Sequence, residues 1–162
     1  MILGLSVPAF TLLHVTISLI GIAAGFLFLG ALLGGRWLGT VNLLFLVFTI
    51  LTSVTGFFFH SKAFGPPHVV GIISLIDLAV ALVALYGFHR AGTWRAVYTV
   101  TAVVALWLNV FVGIVQSFQK IGFLNAFAPT GTEPPFFIAQ GVALLLFALA
   151  AFVAIRKPAG PA

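Results

Sequence analysis

Residues 109–140 read NVFVGIVQSFQKIGFLNAFAPTGTEPPFFIAQ, and this stretch decides how the rest of the chain is interpreted. An apolar run with embedded amide side chains ends at Lys120, and a second apolar run starts after Pro134 and Pro135. Between them, Pro129 and Gly131 are residues that break helices. Apolar runs of about 20 residues are typical of membrane-spanning helices. The stretch therefore predicts two such helices joined by a rigid loop on one side of a membrane.

The composition supports the same class for the whole chain. Of its 162 residues, 62% are hydrophobic and 6% are charged, whereas soluble domains carry roughly 25% charged residues. Arg36 is the only charged residue before Lys62. The sequence predicts an all-α, polytopic membrane protein with one domain, residues 1–162, and no internal repeat. We expect five transmembrane helices, at about residues 9–33, 37–59, 68–88, 94–119 and 136–155.

The basic residues predict the orientation. Five of them fall at one end of the predicted bundle, namely Arg36, Arg90, Arg95, Arg156 and Lys157, and two at the other, Lys62 and Lys120. Cytoplasmic ends carry the excess of Lys and Arg, so we expect the N-terminus outside and the C-terminus in the cytoplasm. The basic residues are scattered along the sequence, which argues against a nucleic-acid partner. The predicted location is a plasma membrane, the inner membrane if the source is bacterial.

Polar side chains concentrate toward the outer ends of the predicted helices. Counted at about 1.5 Å per residue, Asp77 lies about 13 Å inside the outer surface, and other polar residues lie at similar or smaller depths. The predicted ligand- or ion-binding residues are Asp77, Asn109, Gln116, His14, Ser53 and Gln140, with Glu133, Lys120, His60 and His68 at the rim. This one-sided distribution favours a polar pocket that opens outward over a continuous channel.

Asp77 is the strongest candidate among them. A charged side chain in the middle of a span costs about 2.5–3.5 kcal/mol on insertion scales, and such residues are functional by default. The alternative is a structural hydrogen bond across helices, to Asn109, Ser53 or Thr52. The loop that contains Glu133 is either a stiff connector or a lid, and Glu133 is expected near Lys120 or Lys62.

The histidines raise a cofactor alternative. His14 with His60 or His68 offers the two axial ligands of a b-type heme, and all three with Glu133 or Asp77 could hold zinc or copper. The spacing is not specific, because neither HxxxH nor HExxH occurs. The default prediction is therefore no cofactor. The chain has no Cys, which excludes disulfides, iron–sulfur clusters and thiolate zinc sites.

Two runs, AGTWRAVYTVTAVVALWLNVFVGIVQSFQK and APTGTEPPFF followed by Gln140, carry a resemblance to a known group. The chain resembles small bacterial inner-membrane proteins to which no activity, cofactor or site is attached. The likeness covers more than half of the chain. Five spans in this length are also similar in architecture to the translocator (tryptophan-rich sensory) family, but only three Trp are present.

The leading hypothesis is a non-enzymatic protein that binds or transports a small molecule, an ion or a proton. No Walker A, GxGxxG or EF-hand motif and no Ser-His-Asp context is present. The alternatives are a heme-containing redox component and a structural subunit, either of a homo-oligomer or of a larger membrane complex. In the last case, the small-xxx-small face of the first helix, with Gly21 and Gly25 and with Gly30 and Gly34, would dock the partner.

Overall fold

The protein is a bundle of long apolar helices. The computed structural model describes residues 1–59 and 63–157. Six α-helices lie within these residues: α1 (Val7–Leu33), α2 (Gly39–Gly56), α3 (Pro66–Leu82), which a π-helical turn (Val83–Gly87) extends, α4 (Trp94–Lys120), α5 (Gly122–Phe127) and α6 (Pro134–Arg156). All except α5 are long and apolar enough to cross a membrane, α3 with its π-helical turn. The all-helical, multi-pass architecture is confirmed.

Local sequence accounts for the helix starts. Ser6 Oγ accepts a hydrogen bond from the backbone amide of Ala9 at 3.3 Å and so caps α1. Both α3 and α6 begin with a Pro-Pro pair, where proline lacks only an amide that would be unpaired anyway. Because α3 begins at Pro66, Asp77 lies near the middle of the span Pro66–Gly87, deeper than predicted.

The connector after α4 was predicted to lack helix, and this was wrong. Residues Gly122–Phe127 form α5, since the segment contains no proline and only one glycine, at its start. Asn125 Nδ2 donates to the carbonyl of Phe118 at 3.1 Å, which ties α5 back to the last turns of α4. The irregular part of the connector is thereby shortened to residues 128–133.

The spans alternate in direction, so the bundle has two chemically different ends. We call the end where α4 begins and α6 ends the basic end, because Arg36, Arg90, Arg95, Arg156 and Lys157 lie there. We call the opposite end, where α4 ends and α6 begins, the loop end. Helix α4 contacts α1, α2, α3 and α6, and its Ala105 is fully buried. It is the central helix of the bundle.

The half nearer the basic end holds a cluster of aromatic rings. The rings of Phe28, Trp37, Phe45 and Tyr98 meet with centroid distances of 5.2–6.3 Å. Within this cluster, the hydroxyl of Tyr98 donates to Asn42 Oδ1, and both residues are at most 2% exposed. This half is an apolar core with one internal polar pair.

The small residues of α1 serve packing inside the chain. A Cβ on Gly21 would lie 3.4 Å from the backbone of Phe48, and a Cβ on Gly25 would lie 2.5 Å from Leu106 Cδ1. These two glycines therefore let α1 approach α2 and α4, and they are not available to dock a partner. A Cβ on Gly30 would meet nothing within 4 Å.

Candidate functional site

Helix α2 carries a row of hydroxyl side chains that joins it to its neighbours. One polar pair connects it to each of α4, α3 and α1: Asn109 Nδ2 donates to Thr49 Oγ1 at 3.1 Å, Ser53 Oγ lies 2.9 Å from Ser74 Oγ, and His14 Nδ1 lies 2.7 Å from Thr55 Oγ1. Ser53, Asn109 and Thr49 are buried. The sequence indicated Ser53 and Thr52, but it did not single out Thr49 or Thr55, although Thr52 and Thr55 are spaced by one helical turn.

The donor in two of these hydrogen bonds can be assigned, because each hydroxyl group has only one proton. Thr55 Oγ1 donates to the carbonyl of Leu51 at 2.7 Å, so it accepts from His14, whose Nδ1 then carries the proton. In a neutral ring, Nε2 of His14 is left as an acceptor. Ser53 Oγ likewise donates to the carbonyl of Thr49 at 3.0 Å, which makes Ser74 the donor to Ser53.

Asp77 stands apart from this network. It lies on the same helix face as Ala81 and Ala84, which are fully buried in the core. Its Oδ2 is buried, and no described residue donates a hydrogen bond to it. Two of the partners that the structural interpretation proposed are engaged elsewhere, since Asn109 binds Thr49 and Ser53 binds Ser74.

A stripe on α4 runs from the core out to the loop end. Asn109 is 8% exposed, Gly113 is partly buried, and Gln116 and Lys120 are exposed. These residues share one helix face, and their exposure rises toward the loop end. The function proposed below takes this face as the wall of a cleft that is closed at Asn109 and open at Gln116; we call that proposed space the polar cleft.

A second group of polar atoms lies between α4 and α6. Gln140 Nε2 donates to the carbonyl of Phe111 at 3.1 Å. Gln140 Oε1 and Trp107 Nε1 are buried, and neither has a hydrogen-bond partner among the described residues. The sequence indicated Gln140 but not Trp107. Trp107 could have been noticed because it is a single tryptophan in mid-span, and a buried indole N–H usually finds a hydrogen-bond partner.

A cavity of about 180 Å³ lies at the loop end, where residues 128–131 cover the end of α4. Its lining mixes rings, the Gln119 amide and loop backbone: Val115, Phe118, Gln119, Ala128, Pro129, Thr130, Gly131 and Phe136. Of the predicted ligand- or ion-binding residues, none lines this cavity. It is therefore a different space from the polar cleft, and its volume is below the 300–1,000 Å³ typical of ligand pockets.

Glu133 stabilises the loop that covers this cavity through hydrogen bonds. It was expected beside Lys120 or Lys62, but its carboxylate instead accepts from the Thr130 amide at 3.1 Å, the Thr130 hydroxyl at 2.8 Å and the Thr132 amide at 3.0 Å. Slight desolvation acts to raise the pKa of Glu133, but these hydrogen bonds together outweigh it and lower the pKa below its ordinary value of 4.5. Lys62 lies outside the described residues.

Acidification is expected to loosen this loop. Because the pKa of Glu133 is lower in the folded protein than in the unfolded chain, its hydrogen bonds contribute fully above the ordinary value of 4.5 and are lost as the pH falls through the lower, folded-state pKa. Amide hydrogen exchange at Thr130 and Thr132 should therefore lose protection on acidification. Glu133→Gln should show little of this pH dependence; an equal response in that variant would contradict the assignment.

The histidines lie in separate places. His14 belongs to α1, and His68 lies in the first turn of α3, where its Nδ1 accepts from the Gly65 amide at 3.1 Å and its ring stacks on Phe64. With Nδ1 an acceptor, the neutral ring carries its proton on Nε2. His60 lies outside the described residues. No group of three His, Asp or Glu that could hold a metal occurs within the described part of the chain, and heme remains a prediction.

Comparison with known proteins adds no assignment. No protein-family model, no curated protein and no solved structure matches the chain. The function is therefore argued from the residues themselves.

Proposed function

We propose that the protein is a multi-pass membrane protein whose polar cleft binds or moves a small molecule, most simply a proton or a monovalent cation, without covalent chemistry. The observation that supports this is Asp77, a carboxyl group in mid-span with a buried oxygen that no described residue donates to. The polar cleft proposed along α4 would supply neutral oxygen and amide groups.

Binding of a ligand or a proton at Asp77 would remove a free-energy cost from the folded protein. An acidic side chain at this depth costs about 2.5–3.5 kcal/mol, and leaving a buried polar atom unsatisfied costs about 1–3 kcal/mol. The interhelical hydrogen bonds of the α2 row are worth about 0.6 kcal/mol each on average, and none of those described reaches Asp77. A proton, a cation or a donor group on a ligand would satisfy the carboxyl group directly.

Asp77 is the charged group of the proposed site, and the cleft residues are its neutral companions. Asn109, Gln116 and Ser53 offer oxygen atoms that suit a partly dehydrated cation. His14 lies toward the loop end of α1, and its Nε2 would accept a proton that enters the cleft there. Gln140 binds the carbonyl of Phe111 between α4 and α6 and is left out of the proposed site.

The cleft is proposed to open away from the cytoplasm. The basic end carries five Lys and Arg, whereas Lys120 and Lys62 are the two assigned to the other side. The positive-inside rule then places the basic end in the cytoplasm and the loop end outside. A plasma membrane is the proposed location, the inner membrane in a bacterial source.

Ion flux into liposomes tests this function. Purified protein is reconstituted into vesicles that contain a pH-sensitive dye, and proton, sodium and potassium fluxes are measured under an imposed potential. We expect flux above that of protein-free vesicles for at least one of these ions, and at least a tenfold reduction in Asp77→Asn. Glu133→Gln, which removes the chain's other carboxylate, is the matched control and should retain the flux.

Stability provides the second readout for the same site. Asp77→Leu removes the unsatisfied carboxyl and should stabilise the protein by about 1–3 kcal/mol while it abolishes flux. The proposal fails if wild-type protein passes none of the three ions, or if Asp77→Asn retains wild-type flux. A loss of stability in Asp77→Leu would show instead that the carboxyl is a structural group.

A further inference from the structure

Three cationic residues gather at the basic end, where α4 begins and α6 ends. Arg95 Nη1 donates to the carbonyl of Lys157 at 2.7 Å, and Arg95 Nη2 donates to the carbonyl of Ile155 at 3.2 Å. Arg156 lies between these two positions in the sequence. Residues that are 60 positions apart in the chain thus form one basic cluster, defined here as Arg95, Arg156 and Lys157.

No acidic side chain among the described residues balances this cluster. The two acidic residues are Asp77 and Glu133, the first in the middle of α3 and the second at the loop end. The hydrogen bonds of Arg95 go to backbone carbonyls, which complete the end of α6 but carry no net charge. Because none of these contacts neutralises its positive charge, the cluster attracts an anion from outside the chain.

The position of the Arg156 side chain indicates where such an anion would bind. Its guanidinium carbon lies 3.9 Å above the ring of Phe152, a ring that is 53% exposed on the outer surface of α6. A basic side chain that lies along an apolar ring at a helix end keeps its stem in hydrocarbon and its charge at the level of the lipid head groups. The charge of Arg156 therefore faces the lipid boundary.

We infer that the basic cluster binds the phosphate head group of an anionic phospholipid. Guanidinium groups suit phosphate because they present parallel N–H donors to two of its oxygens, and basic pockets beside transmembrane helices are known to hold such head groups. The acyl chains would lie along the outer surface of α6 past Phe152. This inference does not depend on the function proposed for Asp77.

Lipid retention on the full-length protein tests the inference. Protein in mild detergent is mixed with phosphatidylglycerol or with phosphatidylcholine of the same acyl chains, and retained lipid is measured by native mass spectrometry. Wild type should retain the anionic lipid preferentially. Arg156→Gln with Lys157→Gln should weaken its retention about thirtyfold, or about fivefold for each cation removed. Both substitutions leave the hydrogen bonds of Arg95 to the backbone in place.

Lys120→Gln is the matched control, because it removes a last-turn cation of α4 at the opposite end of the bundle. It should retain the wild-type preference for phosphatidylglycerol. Equal retention of the two lipids by wild type, or an equal loss in Lys120→Gln, would overturn the inference. So would displacement of the lipid by inorganic phosphate at the same concentration, since the anion bound would then be free phosphate. Thermal unfolding in phosphatidylcholine should be unchanged in the double variant; lower stability there would mean that the substitutions act on folding.

Discussion

Gly25→Val is expected to destabilise the bundle by about 3 kcal/mol, at the upper end of the usual cost of overpacking. A Cβ at this position would lie 2.5 Å from Leu106 Cδ1 and 2.9 Å from Phe45 Cδ2. Both neighbours are 1% exposed, so neither side chain has space to move aside. The substitution would therefore force α1 away from α2 and α4.

Gly30→Val provides the control for this prediction. A Cβ on Gly30 would meet nothing within 4 Å, and the residue is exposed on the same helix. Both variants replace a helical glycine by the same β-branched residue, so the difference between them reports packing. The free energy of unfolding, measured by titration with a denaturing detergent, should be close to wild type for Gly30→Val. Equal losses in the two variants would contradict the packing described for α1.

The second large effect is expected at the polar pair inside the aromatic core. Asn42→Leu removes the acceptor of the Tyr98 hydroxyl, which is fully buried. A buried donor without an acceptor costs about 1–3 kcal/mol, and we expect a loss of about 2 kcal/mol in the free energy of unfolding. The same detergent titration measures this loss.

Removal of both polar groups should restore most of the lost stability. Tyr98→Phe deletes the orphaned hydroxyl, and replacement of both partners by apolar groups is close to neutral in favourable cases. We therefore expect the double variant Asn42→Leu/Tyr98→Phe to be more stable than Asn42→Leu alone. A double variant that is less stable than either single variant would contradict this expectation. It would mean that the packing of the two side chains contributes more to stability than their hydrogen bond does.

The architecture could be predicted from sequence because the signals for membrane spans are long and local. Uncharged runs define the five spans, and the predicted bounds lie within three residues of the observed spans. The helices that begin at Pro66 and Pro134 were predicted to begin two residues later, at residues 68 and 136. The short helix Gly122–Phe127 was missed because six residues with no periodicity give no such signal. The π-helical turn Val83–Gly87 was also missed, since it differs from α-helix only in its hydrogen bonding.

The candidate site was predictable only at the level of helix faces. The sequence indicated Asn109 and Gln116 as candidates, and the structure leaves their face of α4 progressively more exposed toward the loop end. Which side chains meet across helices depends on the register between helices, which one sequence does not contain. The sequence therefore did not predict that Asn109 would bind Thr49 and leave Asp77 without a hydrogen-bond donor among the described residues.

The central claim, that a polar cleft opens from Asn109 toward the loop end and away from the cytoplasm, is tested most directly by thiol labelling. The chain has no Cys, so a single introduced Cys is the only reactive thiol. Gly113→Cys would lie on the face of α4 that lines the proposed cleft, and Ile76→Cys, on a residue 62% exposed on the outer surface of α3, would face lipid in mid-span. A membrane-impermeant maleimide added outside intact cells should label Gly113→Cys and spare Ile76→Cys. Failure to label Gly113→Cys from outside, or equal labelling of both, would contradict the account.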